Sequence, residues 1–119
     1  MTLEECYETM QGDYRDVMQR LMNESFVKRF LFKFLDSADL ESLKASLAEE
    51  DYAEAFRFAH SLKGECMNLG ISKLQHSSSE LCEALRGGKP QVDISAMLSE
   101  VESDYIMTKD AIRRLQEAS

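Results

Sequence analysis

The sequence predicts an all-α chain: an antiparallel, up-and-down four-helix bundle with additional short helices at its N-terminus. Three observations carry that expectation. One proline and five glycines in 119 residues leave few interruptions. No series of short, evenly punctuated alternating runs is present, as an all-β fold would require. A stripe near the C-terminus, Ile94, Leu98, Val101, Tyr105, Thr108, Ile112 and Leu115, steps by alternating fours and threes, which is the seam of a bundle.

The elements follow in order. Thr2 caps a short first helix with Glu4 and Glu5 in its opening turn, where carboxylates meet the positive end of the helix dipole. That helix stops near Gly12. Asp13 starts a second short helix through Val17, Met18 and Leu21. Asn23 or Ser25 opens a third, whose Phe26, Val27, Phe30, Leu31 and Phe34 recur at helical spacing. The segment DSADLESLKASLAEED forms a further helix with Leu40, Leu43 and Leu47 on one side. Asp51 caps the next helix, and Gly70 ends it, because a left-handed residue there costs glycine nothing. Another runs from about Ser72 to Arg86 with Leu74, Ser78, Leu81 and Leu85 together. Gly87-Gly88-Lys89-Pro90 is the clearest turn, and the striped helix follows it. This length suits one domain over residues 1–119, with a single modest core.

Composition narrows the function. The net charge is −8 and no basic run exists, so no nucleic-acid partner is expected. Cys6, Cys66 and Cys82 form no CxxC and no even-numbered framework, and read as free thiols in a reducing compartment. The N-terminus MTLEECYETM has neither a basic n-region nor an apolar h-region. No apolar run approaches the roughly 18 residues of a membrane span. A cytoplasmic protein with no membrane partner is expected.

The helix that Asp51 opens holds the informative stretch, AHSLKGECMNLG. At about 100° per residue, Ala55, Phe58, Ala59, Leu62, Cys66 and Leu69 share one side, the core stripe. His60 falls about 140° from its centre and should be exposed. Phe56, Lys63, Gly64 and Met67 fall on the same outward face as His60. Two large apolar side chains off the core stripe suggest a partner surface. Gly64 costs about 1 kcal/mol in a helix interior relative to alanine, so it has a compensating role: close helix packing, or access to the ring. Lys63 is three residues from His60, near enough to set an ammonium beside anything attached to the ring. An exposed imidazole with a cation at its side and open space in front suits a histidine that carries a phosphoryl group. A neutral imidazole nitrogen is a competent nucleophile near pH 7, and in-line transfer needs a protruding ring.

These residues resemble a known family. His60-Ser61-Leu62-Lys63-Gly64 followed by Asn68-Leu69-Gly70 resembles the H-x-L-K-G-x-x-x-N-L-G signature of histidine-containing phosphotransfer (HPt) domains, and the resemblance extends over most of the chain. It implies a four-helix bundle and a phosphorelay intermediate in two-component signalling. His60 would exchange a phosphoryl group, through Nε2, with the aspartate of a response-regulator receiver domain, free or within a hybrid sensor histidine kinase. The receiver would supply the Mg²⁺, and the chain no cofactor or metal site of its own. By the same match Lys63 would contact the phosphoryl group and Gly64 would admit the receiver, with Phe56, Met67 and Arg86 on the partner face. Arg86 reads equally as a phosphate contact and a plain surface arginine. The sequence departs from the pattern at Glu65 and Cys66, where small residues are usual, and at Cys82, where several members place a glutamine facing the histidine. Glu65 falls about 140° from His60, on the opposite flank.

Other readings make distinct expectations. A metal or redox site from His60, His76, Cys66 and Cys82 has suitable residue types, but Cys66 and His60 point to different sides of one helix. A non-phosphorylated HPt-like adaptor would bind a signalling partner through Phe56 and Met67. The phosphorylated module of a chemotaxis-type kinase would head a longer chain. No P-loop is present, so no autonomous ATP-dependent kinase activity is expected. His76 reads as a surface residue beside Lys73 and Glu80. A monomer is expected.

Overall fold

The structure, a computed structural model, describes residues 1–118; Ser119, part of the expected 1–119 domain, lies outside the described residues. Among these there are seven helices: α1 (Leu3–Thr9), α2 (Tyr14–Leu21), α3 (Glu24–Phe34), α4 (Asp39–Ala48), α5 (Tyr52–Leu69), α6 (Ser72–Leu85) and α7 (Ser95–Glu117). No strand occurs among them.

Local chemistry sets most helix ends. Thr2 and Glu5 form a reciprocal capping box, with Glu5 N–H donating to Thr2 Oγ1 at 3.1 Å and Thr2 N–H to Glu5 Oε1 at 2.8 Å. The side chains of Asp13, Asn23 and Asp51 accept from the backbone N–H three residues on and start α2, α3 and α5. Gly70 closes α5 at φ 68°. Gly87 and Gly88 take φ of 87° and 112° in the turn after α6, a region that side chains resist.

Helices α4 to α7 build the bundle. The links from α4 to α5 and from α5 to α6 are too short for anything but antiparallel neighbours. The buried faces meet in one core that includes Leu43 of α4, Leu62 and Cys66 of α5, Leu74 and Leu81 of α6, and Val101 and Ile112 of α7. Five of the seven stripe positions of α7 are buried; Ile94 and Leu98, at its start, are half-buried. Asp104 is buried on the same helix, and Lys73 Nζ reaches its two oxygens at 2.9 and 3.0 Å. A buried carboxylate is tolerated because it is paired. No helix among the described residues is long and apolar enough to cross a membrane.

The five apolar residues of α3 do not all face inward. Val27, Leu31 and Phe34 are buried, whereas Phe26 and Phe30 are exposed. The chain covers only one side of this helix. Phe34 packs on Tyr105 with ring centroids 5.8 Å apart, and Arg29 covers part of the outer row, its guanidinium 5.4 Å from the Phe26 ring centre.

The N-terminal helices hold the far end of α5. Tyr7 Oη donates to Leu69 O at 2.5 Å, Asp13 N–H to Gly70 O at 2.8 Å, and Arg20 Nη2 to Met67 O at 3.1 Å. Carbonyls that a helix end leaves without partners are thereby satisfied from α1 and α2.

Candidate functional site

The site grows from the two sides of α5. Ala55, Ala59, Leu62, Cys66 and Leu69 are buried, with Phe58 half-buried at the edge. That fixes the helix rotation and leaves His60 exposed. Phe56, one turn earlier, is half-buried, and its ring centre lies 5.9 Å from that of His60 at an interplanar angle of 50°. Met67 is exposed further along the same face.

The first residue after α6 closes one side of this face. Arg86 sets its guanidinium 5.1 Å from the Phe56 ring centre, a cation–π contact. It also donates to Glu83 through Nε at 3.2 Å and Nη2 at 2.8 Å. Arg86 holds the Glu83 carboxyl below the usual carboxylate range, with a smaller pull from Lys63. Lys63 is half-buried, and its charge is felt at Glu83 on α6. Cys82 is fully buried. Burial raises its thiol, and the charges of Lys63 and Arg86 partly offset the rise. A thiol there offers no amide to hydrogen-bond near His60.

Gly64 explains itself by what is missing. A β-carbon built there would meet nothing within 4 Å. Close helix packing is therefore not the reason for this glycine, and the surface one turn from His60 is open.

The sequence did not reveal what lies on the other side of the ring. A hollow of about 410 Å³ is lined by Asp39, Phe56, Arg57, Phe58, His60 and Ser61. Asp39 opens α4, and its Oδ2 accepts from Ser61 Oγ at 3.0 Å. Burial, and then the neighbouring Asp39 carboxyl, push the Glu65 carboxyl up to about 8. Glu65 thus lies off the His60 face, but in a partnership that no local pattern announces. A larger cavity, about 790 Å³, lies on that flank between α3 and α5.

His76 is exposed on α6, with Nε2 3.2 Å from Glu80 Oε1, and does not join the His60 face. Cys66 is in the core. Among the described residues no three His, Cys, Asp or Glu side chains are grouped to hold a metal ion.

With this geometry established, a comparison with protein-family models finds the Hpt domain over residues 30–118. The match runs from the second half of α3 through α7 and leaves α1 and α2 outside it. The chain belongs to the Hpt domain family. Hpt domains serve histidine phosphotransfer in phosphorelay signalling as carriers rather than kinases, and they interact with response-regulator receiver domains. Comparison with curated proteins and with solved structures finds no match.

Proposed function

We propose that this chain is a phosphorelay intermediate in which His60 accepts a phosphoryl group from the aspartate of a receiver domain and returns it to one. The observation that carries the reading is the open face of α5: His60 is exposed, and the position of Gly64 leaves free space where a side chain would stand. Transfer of this kind needs an in-line approach of donor and acceptor, so the acceptor must be reachable from outside. The His60 Nε2 lone pair attacks phosphorus. The N–P bond forms as the P–O bond to the receiver aspartate breaks, and the carboxylate leaves with the electron pair. Lys63 offsets charge on the phosphoryl oxygens, and Arg86 lies within reach of the same side. Phe56 and Met67 give the receiver apolar contact around the ring.

The receiver stands alone or within a hybrid sensor kinase, and it brings the Mg²⁺. The protein acts as one domain over 1–119, as a monomer in the cytoplasm. It does not phosphorylate itself from ATP.

The test is phosphoryl transfer from a panel of phosphorylated receiver domains to the purified chain, with His60→Gln and His76→Gln beside it. An acid-labile, alkali-stable label that His60→Gln abolishes and His76→Gln retains is the expected result. Binding of a receiver without any label would instead favour an adaptor that uses the Phe56 and Met67 face. Incubation with labelled ATP alone should leave the chain unlabelled.

A further inference from the structure

We propose that Arg86 and Phe56 are positioning residues for the imidazole of His60: Arg86 pins the Phe56 ring, and the pinned ring holds the imidazole in one orientation. That this orientation serves phosphoryl transfer rests on the phosphorelay reading; the restraint itself does not.

A helical side chain leans back over the turn before it, so the His60 ring tips toward the residue four positions earlier. That residue is Phe56. The two ring centres stand 5.9 Å apart at an interplanar angle of 50°, within the range of a paired aromatic contact. Phe56 is itself half-buried and packed against the core. Arg86 covers its ring from the end of α6, with the guanidinium 5.1 Å from the ring centre, close enough for a cation–π contact. Arg86 is held in turn by Glu83, which accepts from Nε at 3.2 Å on one carboxylate oxygen and from Nη2 at 2.8 Å on the other. Such a fork fixes the plane of the guanidinium as well as its position. The relay thus runs from Glu83 through Arg86 and Phe56 to His60, and each contact is made by a rigid planar group.

An exposed imidazole without such a wall turns freely. The χ1 of a helical residue has two common wells and the imidazole χ2 is broadly two-fold, so an unrestrained ring samples about four orientations. Only one that sends the attacking lone pair outward can react in line. Holding that orientation raises the competent fraction by up to about fourfold. The surroundings of the ring are asymmetric in the sense this requires. Phe56 stands one turn before His60, and Gly64 stands one turn after it, where a β-carbon would meet nothing within 4 Å. The ring therefore has a wall on one side and open space on the other. Arg57, which lines the hollow at His60, takes no part in the relay. It donates to Glu54 Oε1 at 2.8 Å and sets its guanidinium 5.9 Å from the Phe58 ring centre.

The first arm of the test uses the full chain without a receiver and follows its aromatic side chains by NMR. In the parent, ring protons of Phe56 and His60 should show mutual nuclear Overhauser effects, and carbon relaxation should report a restrained His60 ring. Phe56→Leu and Arg86→Gln should each lower the order parameter of that ring while keeping the helical circular dichroism, and Phe56→Tyr should preserve it. Arg86 is exposed, so its substitution leaves the core intact. Because Arg86 acts through Phe56, adding Arg86→Gln to Phe56→Leu should lower the order parameter no further. A His60 ring equally mobile in the parent and both single variants would overturn the proposal. A further fall in the double variant would overturn the relay, since Arg86 would then restrain the imidazole by itself. The second arm measures single-turnover transfer at saturating concentrations of a receiver that labels His60. Phe56→Leu leaves Lys63 and Arg86 in place and should slow this transfer by about two- to fourfold, with Phe56→Tyr close to the parent. A loosened ring with an unchanged saturating rate would overturn the part played in transfer. If no receiver labels the parent, the phosphorelay reading fails, and the first arm still decides the restraint.

Discussion

Gly12 and Gly70 stand back to back. A β-carbon on Gly12 would lie 2.7 Å from Gly70 O and 2.7 Å from the Tyr7 ring, and one on Gly70 would lie 3.0 Å from Asp13 O. The chain before α2 is thus pressed against the end of the histidine helix. There Tyr7 and Asp13 complete its last hydrogen bonds. Residues outside the family match therefore fix the end of the helix that presents His60.

Gly12→Ala should destabilise the protein. Gly12 has no positive φ, so the demand is for space alone, and both near neighbours are backbone or a buried ring. Forcing a methyl group into a filled site typically costs about 1–3 kcal/mol. Urea unfolding should show a lowered midpoint with an unchanged slope; an unchanged midpoint would mean that the two segments separate easily.

Gly64→Ala should do the opposite to stability. With nothing within 4 Å of the added carbon, the helix gains about 0.5–1 kcal/mol from the better helix former. Transfer from a receiver should slow, because the methyl group occupies the approach to His60. A more stable variant with unimpaired transfer would remove access as the reason for this glycine.

Much of this was legible in the sequence because it is local. Thr2, Asp13, Asn23, Asp51 and Gly70 act on backbone groups a few residues away, so their types announce the helix ends. His60, Lys63 and Gly64 share a face by spacing alone. The omissions are non-local. Five apolar residues on α3 cover so much of its circumference that pattern cannot say which row is inside; the packing of Phe34 on Tyr105 decides it. The bond from Ser61 to Asp39 spans 22 residues and that from Tyr7 to Leu69 spans 62. No periodicity carries such pairings. Glu65 was correctly placed off the His60 face, but the Asp39 carboxyl that helps to raise it comes from the start of α4, which no local pattern brings near.

Stability should fall as pH rises through the range set by Glu65. Its carboxyl moves from an ordinary 4.5 to about 8 in the folded chain. Below the lower value it is protonated in both states and contributes no slope. Between the two values the folded state holds a proton that the unfolded state has lost, so unfolding releases it and is favoured by rising pH. Above about 8 the slope from this group ends. Glu65→Gln keeps a neutral partner for Asp39 and cannot titrate. Its thermal midpoint, measured from about pH 5 to about pH 9, should decline less than that of the parent, and identical profiles would show that Glu65 does not hold a proton in this range.

On the proposed phosphorelay role, Glu83 should compete with a phosphoryl group on His60 for Arg86 and Lys63. It takes two hydrogen bonds from Arg86 and feels the charge of Lys63. All three lie at or near the surface, where solvent screens an ion pair and keeps its contribution small. Glu83→Gln leaves both cations without that carboxylate. Their pull on a phosphoryl group at His60 should grow, shifting the transfer equilibrium toward the phosphorylated chain by about two- to fivefold. Lys63→Ala should move it the other way. The ratio of phosphorylated chain to phosphorylated receiver at equilibrium reads both effects directly. If Glu83→Gln leaves that ratio unchanged while Lys63→Ala lowers it, Lys63 acts alone and Arg86 serves only to hold Phe56 in place.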